Sequence, residues 1–126
     1  GAVERIGGNW TRSGECPSRL LAATAIELKL SDWRRALDQA CRYRLFAERS
    51  LVVVAAAHTK AAAAQTAAFR LNGVGLAGLS PWGSLDFICR VRTKAPIDAL
   101  SRFLAGERLW AARGEATVLG SPALAA

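Results

Sequence analysis

The sequence predicts an α/β fold, a central mixed four-stranded sheet flanked by helices, and three stretches carry that prediction. Apolar and charged residues alternate along Ile26-Glu27-Leu28-Lys29-Leu30, the period of a strand. Residues 51–57 form a continuous, Val-rich apolar run, the pattern of a strand buried on both faces. Residues 60–71 are rich in alanine and end at Asn72-Gly73, a helix followed by its stop signal.

The remaining elements follow in chain order. Residues 1–18 are expected to be irregular, because Gly7, Gly8, Gly14 and Pro17 break any periodicity. Residues 19–30 read as the first strand. Ser31 suits the N-cap of the next helix, and Asp32 in the first turn complements its dipole. Trp33, Ala36, Leu37, Ala40 and Cys41 form an apolar stripe that carries this helix to about residue 47. Residues 74–79 read as a third strand, Ser80-Pro81-Trp82-Gly83 as a turn and residues 85–91 as a fourth strand. Pro96 suits the first turn of a last helix, Gly106 weakens it, and residues 114–126 read as a frayed tail. The order strand–helix–strand–helix–strand–strand–helix calls for right-handed crossovers.

A chain of 126 residues with 52% hydrophobic and 21% charged residues is sized and composed as one folded domain. The longest apolar run is far too short to span a bilayer, and the charges Glu4, Arg5, Arg12, Glu15 and Arg19 leave no apolar core for a signal peptide. A cytoplasmic protein without a membrane partner is expected. Cys16, Cys41 and Cys89 are odd in number and widely spaced, which gives neither a disulfide framework nor a zinc site. The net charge is +7, and lysine occurs only at 29, 60 and 94, so the basic side chains are mainly arginine. Arginine suits bidentate contact with phosphate, and the excess is consistent with a polyanionic partner such as nucleic acid.

The strand period places Glu27 and Lys29 on one side and Ile26, Leu28 and Leu30 on the other. Gln39 and Tyr43 then stand one turn apart on the following helix. A strand carrying E-x-K, followed by a helix carrying Q-x-x-x-Y, resembles the PD-(D/E)xK, or restriction-endonuclease-like, nuclease superfamily. The segment 25–47 (AIELKLSDWRRALDQACRYRLFA) is most similar to its RecB-like and archaeal-resolvase-like members. The resemblance covers residues 20–79, about half of the chain. It implies a restriction-endonuclease-like core and a Mg²⁺- or Mn²⁺-dependent hydrolase acting on phosphodiester bonds in DNA. It also allows a homodimer.

By that resemblance Glu27, Lys29, Gln39 and Tyr43 are the catalytic set. Glu27 and the backbone carbonyl of Leu28 are metal ligands, and Arg35 and Arg42 extend the helix toward a phosphate backbone. A carboxylate-bound Mg²⁺ acts as a Lewis acid and generates hydroxide, while Lys29 orients water and offsets phosphate charge. The family places an Asp on a strand before E-x-K, yet no Asp precedes Asp32. Glu15, twelve positions before Glu27, is the candidate for that place. The chain also holds no methionine and opens on Gly1-Ala2, so the N-terminal part of the core is expected to be missing or degenerate. The alternative reading is a catalytically inactive nuclease-fold module that binds nucleic acid or a protein partner. His58, the single histidine, reads as a helix cap, and Trp33 as core.

Overall fold

In the computed structural model the elements in chain order are β1 (Val3–Ile6), β2 (Asn9–Arg12), β3 (Thr24–Lys29), α1 (Trp33–Tyr43), β4 (Arg49–Ala55), α2 (Thr59–Ala63), α3 (Thr66–Asn72), β5 (Gly75–Leu79), β6 (Leu85–Cys89) and α4 (Ala99–Val118). The structure describes the backbone of residues 3–6, 9–12 and 22–118, and side chains within residues 22–113. Contacts divide the chain into two units: Ala22–Ala99, and Gly1–Leu21 with Leu100–Ala126. The second unit contributes the antiparallel hairpin β1–β2, with Val3 opposite Arg12 and Ile6 opposite Asn9, and the long helix α4.

The unit Ala22–Ala99 is an α/β structure on a four-stranded mixed sheet ordered β3-β4-β5-β6. β3 and β4 are parallel, with Glu27 beside Val52 and Lys29 beside Val54. β4 and β5 are also parallel, and β6 returns antiparallel to β5. Side chains alternate across each strand, so this register puts Glu27, Lys29, Val52, Val54 and Leu76 on one face. That face meets all three short helices: Ala36, Leu37 and Ala40 of α1, Ala62 of α2 and Phe69 of α3 form one buried cluster with Val52, Val54 and Leu76. Leu51, Val53 and Ala77 form a smaller cluster on the opposite face, joined by Val91.

Polar contacts hold the helix to the sheet. The hydroxyl of Ser50, fully buried at the start of β4, donates to the carbonyl of Ala40 at 2.7 Å. Just after α1, the buried Arg44 guanidinium donates to the carbonyls of Ala47 and Glu48, both at 2.8 Å, and of Ala95 at 3.3 Å and Lys94 at 3.4 Å. A buried charge needs such a set of acceptors. Here they join the α1–β4 connection to the segment that follows β6.

Several local expectations are corrected. The N-terminal residues expected to be irregular include two short paired strands, Val3–Ile6 and Asn9–Arg12, since residues on either side of the glycines alternate and pair antiparallel. The first strand begins at Thr24 rather than residue 19. Asp32, not Ser31, caps α1: its carboxylate accepts from the amide of Arg35 at 3.2 Å, and α1 ends at Tyr43 in a short run of turns. The strand expected over 51–57 spans Arg49–Ala55. The alanine-rich helix is broken into α2 and α3 at Ala64-Gln65, since alanine favours helix but supplies neither cap nor packing to carry one across the sheet. Gly73 does end α3, at φ 67°, in the left-handed region glycine tolerates. The fourth strand ends at Cys89, and the last helix starts at Ala99 rather than beside Pro96. It continues through Gly106 to Val118, where a frayed tail was expected from residue 114.

Candidate functional site

Strand β3 ends the sheet, and its two faces differ in an unusual way. The charged residue is the covered one. Glu27 is 8% exposed, beneath α1, while Ile26 and Leu28 on the opposite face are 51% and 63% exposed. The strand must therefore satisfy a carboxylate inside the helix–sheet layer, and two side chains do so. The Tyr43 hydroxyl donates to Oε2 of Glu27 at 2.6 Å, and Nζ of Lys29 lies 3.0 Å from Oε1. These contacts act on the protonation of both partners. The Tyr43 hydrogen bond, then Lys29 and Arg35, hold the Glu27 carboxyl below its usual range although burial opposes them. The same hydrogen bond, aided by burial, pushes the Tyr43 phenol up. At neutral pH the arrangement is a carboxylate, an ammonium and a neutral phenol in one connected network.

Helix α1 carries the rest of the expected set. At about 100° per residue, Arg42, Arg35, Gln39 and Tyr43 fall within roughly a third of a turn beside the buried stripe of Ala36 and Ala40. α1 runs back along β3, and its four-residue advance of about 6 Å matches the two-residue step of about 6.6 Å on a strand. With Tyr43 level with Glu27, Gln39 comes level with Lys29. The Oε1 atom of Gln39 is buried and has no hydrogen-bond partner, an acceptor held ready beside the network. Arg35 and Arg42 are exposed on the outer side of the helix, and Arg35 is near enough to bear on the charge of Glu27.

Leu28 enters through its backbone. The carbonyl of Ala23 accepts from the amide of Arg49 at the start of β4. Peptide groups alternate direction along a strand, so the carbonyls of Ala25 and Glu27 also face β4, and those of Ile26 and Leu28 face the outer edge. Glu15 lies outside the described residues. Among the described residues no group of three His, Cys, Asp or Glu side chains gathers as a metal site.

Other candidates resolve differently. His58 occupies the N-cap position of α2, but its side chain makes no capping hydrogen bond and is exposed, which corrects the expectation of a capping histidine. Trp33 packs on Phe69 at 6.1 Å between ring centroids, against the core as expected. Burial, then Asp38, raises the Cys41 thiol, which makes it a poor nucleophile, and Cys89 is buried.

Sequence reasoning missed an open cavity of about 520 Å³ at the C-terminal ends of the three parallel strands, lined by Leu28, Lys29, Leu30, Val54, Leu79 and Pro81 among others. The ends of parallel strands are where open α/β sheets place their crevices. Leu30, Ala56 and Ser80 each directly follow such an end, a signal available once the strand order is known. Among the described residues no helix is long and apolar enough to cross a membrane. Comparison with protein-family models, with curated proteins and with solved structures gave no match to this chain.

Proposed function

We propose that the chain is a metal-dependent nuclease-like module with a restriction-endonuclease-like core, hydrolysing phosphodiester bonds in DNA at Glu27, Lys29, Gln39 and Tyr43. One observation carries this reading: Tyr43, sixteen positions after Glu27, closes on the E-x-K pair at 2.6 Å, so the strand motif and the helix motif meet in one network. The donor set suits a hard cation such as Mg²⁺ or Mn²⁺, which takes oxygen ligands, accepts one or two carboxylates and keeps its waters. Glu27 and the edge-facing carbonyl of Leu28 would hold it, with Glu15 as the second carboxylate. The cation would supply Lewis acidity and a water of lowered pKa.

The chain's own groups have separate tasks. Glu27, kept ionised by Tyr43 and Lys29, would be a ligand of the cation. Lys29 supplies positive charge beside the phosphate. The unpartnered Oε1 of Gln39 orients a hydrogen-bond donor in the same layer. Arg35 and Arg42 lie along the DNA backbone, which fixes register without reading sequence.

Purified protein is expected to cut DNA with Mg²⁺ or Mn²⁺ and to stop on chelation. Glu27→Gln and Lys29→Ala abolish cutting, and Glu15→Gln tests the second carboxylate. Equal cutting by wild type and Glu27→Gln would exclude this site as its source. A second reading is favoured by the engagement of both Glu27 oxygens, by Tyr43 and by Lys29: a nuclease-fold module that binds nucleic acid or a protein partner without cleaving. DNA binding without cleavage in both metals, unchanged by Glu27→Gln, selects it.

A further inference from the structure

The outer edge of β3 carries chemistry that the proposed reaction does not use. β3 ends the order β3-β4-β5-β6. The amide of Arg49 reaches the carbonyl of Ala23, so alternate residues from Ala23 to Lys29 turn their peptide groups to β4. Thr24, Ile26 and Leu28 therefore turn both N–H and C=O outward. Among the described residues no backbone group pairs with those of Ile26 and Leu28. Sheets usually blunt such an edge, because unpaired ladder groups are a template for another strand. Here the side chains that accompany it, Ile26, Leu28 and Leu30, are apolar and exposed.

The sequence of this edge is complementary to itself. About Leu28, the run Ile26-Glu27-Leu28-Lys29-Leu30 reads apolar, acidic, apolar, basic, apolar. With a second copy laid antiparallel and Leu28 opposite Leu28, Ile26 meets Leu30 of that copy and Glu27 meets its Lys29. Residues opposite one another lie on the same side of a sheet, so the apolar rows share one face and the charged rows the other. The hydrogen bonding agrees with this register. Leu28 faces outward, so the Leu28 pair exchanges both N–H···O bonds, and Glu27 with Lys29 falls at the intervening position, where side chains come closest. A shift by two residues sets Glu27 against Glu27 or Lys29 against Lys29, which like charge disfavours. A shift by one sets outward peptide groups against inward ones.

We propose that the chain forms a two-fold dimer through this edge, β3 of one copy adding antiparallel to β3 of the other, so that one sheet runs through both. The second copy contributes its Lys29 beside Glu27, and its Leu28 amide takes up the edge-facing carbonyl of Leu28. The paired form is thus a closed form of the candidate site. A strand that fits here must carry an acid two positions before a base, between apolar residues, and β3 is itself such a strand. That makes a second copy the occupant. A single strand pair is a small contact, so the dimer is expected to be weak and concentration-dependent. The pairing rests on the sheet edge and does not require the phosphodiesterase reading.

The test is oxidative cross-linking of Leu28→Cys in the full chain, with the linked peptides identified by mass spectrometry and wild type, with its own cysteines, as the blank. Opposed Cα atoms of a hydrogen-bonded antiparallel pair are about 5.5 Å apart, a disulfide distance, so a link between the two substituted positions is expected. In Ile26→Cys the substituted positions lie four strand steps apart, about 14 Å, and no such link is expected. Sedimentation equilibrium at concentrations up to about 1 mM follows the same association without oxidation. Leu28→Lys opposes like charges at the axis on an exposed position and is expected to weaken the dimer about 2- to 30-fold. Leu71→Lys adds the same charge at another exposed leucine and leaves association unchanged. None of these measurements needs metal or DNA, so a failure of cleavage leaves their outcome in place. A chain that stays monomeric throughout, or equal weakening by Leu28→Lys and Leu71→Lys, would overturn the proposal. So would linking of Ile26→Cys as readily as Leu28→Cys, which places the contact on the apolar face rather than along the edge.

Discussion

Replacing Tyr43 by Phe removes one oxygen atom and with it the contact that joins α1 to β3 across the proposed site. The ring remains packed beside Phe46, 5.9 Å away, so the loss is confined to the 2.6 Å hydrogen bond to Glu27. A hydrogen bond to a charged group contributes about 1.5–3 kcal/mol, and one between neutral groups about 0.5–1.5 kcal/mol. The Glu27 carboxyl is held below its ordinary value, chiefly by this bond. Its contribution is therefore fully present above the unfolded-state value of about 4.3 and is lost as pH falls through the lower folded value. Near neutral pH, Tyr43→Phe is expected to cost about 2 kcal/mol, which at a urea slope of about 2 kcal/mol/M moves the unfolding midpoint by about 1 M. In acid, where Glu27 is protonated in both proteins, the difference shrinks to about half. Urea unfolding followed by tryptophan fluorescence at several pH values gives both numbers. A midpoint shift that is the same in acid as at neutrality would refute the reasoning, because it would place the stabilisation in packing rather than in the charge of Glu27.

Tyr43 is the only tyrosine in the chain, so tyrosinate absorbance in an alkaline titration reads it directly. Its midpoint is expected above the ordinary value of about 10, in the direction set by the Glu27 hydrogen bond. Glu27→Gln should bring it back toward that value, and a midpoint unchanged by this substitution would detach the phenol from the carboxylate. Because the raised phenol stabilises the fold only while protonated, unfolding should become easier as pH rises past that range. Arg44→Met keeps most of the apolar stem but removes the guanidinium donor from the carbonyls of Ala47, Glu48, Lys94 and Ala95, of which Glu48 keeps the amide of Lys94. Thermal or urea unfolding should register a loss of about 3 kcal/mol or more, and a loss below about 1 kcal/mol would mean that water replaces the guanidinium.

The elements of the sheet unit were legible because their periods are set locally. The alternation around Glu27 and the apolar run through Val52-Val53-Val54 identify two strands, and the helix between them makes parallel pairing the natural crossover. Spacing likewise showed that Glu27 shares a face with Lys29 and Gln39 with Tyr43, while the meeting of the helix pair with the strand pair was an expectation of the family resemblance alone. Which face the core would cover was not legible. Alternation alone would bury Ile26 and Leu28, yet Glu27 is covered, because the stripe of Ala36, Leu37 and Ala40 docks on the side of Val52 and Val54. Cap choice failed for a similar reason: Ser31 and Asp32 are both good caps, and the backbone path out of β3 decides between them.

The burial of Glu27 is itself an argument about purpose. Moving an ionised carboxylate out of water costs several kcal/mol, and a partner on each oxygen offsets this only in part, so a well-packed apolar trio is often as stable as a buried ion pair or more so. The opposite face of the same strand exposes Ile26 and Leu28, so the strand turns its apolar side chains to solvent while holding a charge beneath α1. Stability alone would favour the reverse. Chemistry on charged substrates gains from a carboxylate whose ionisation is fixed in advance and whose surroundings exclude most water, because charge–charge effects strengthen as the local dielectric falls. The Glu27–Lys29–Tyr43 network therefore has the character of a site that folding accommodates rather than one that folding requires, which is why its residues, and not those of the core, are the first to test for activity.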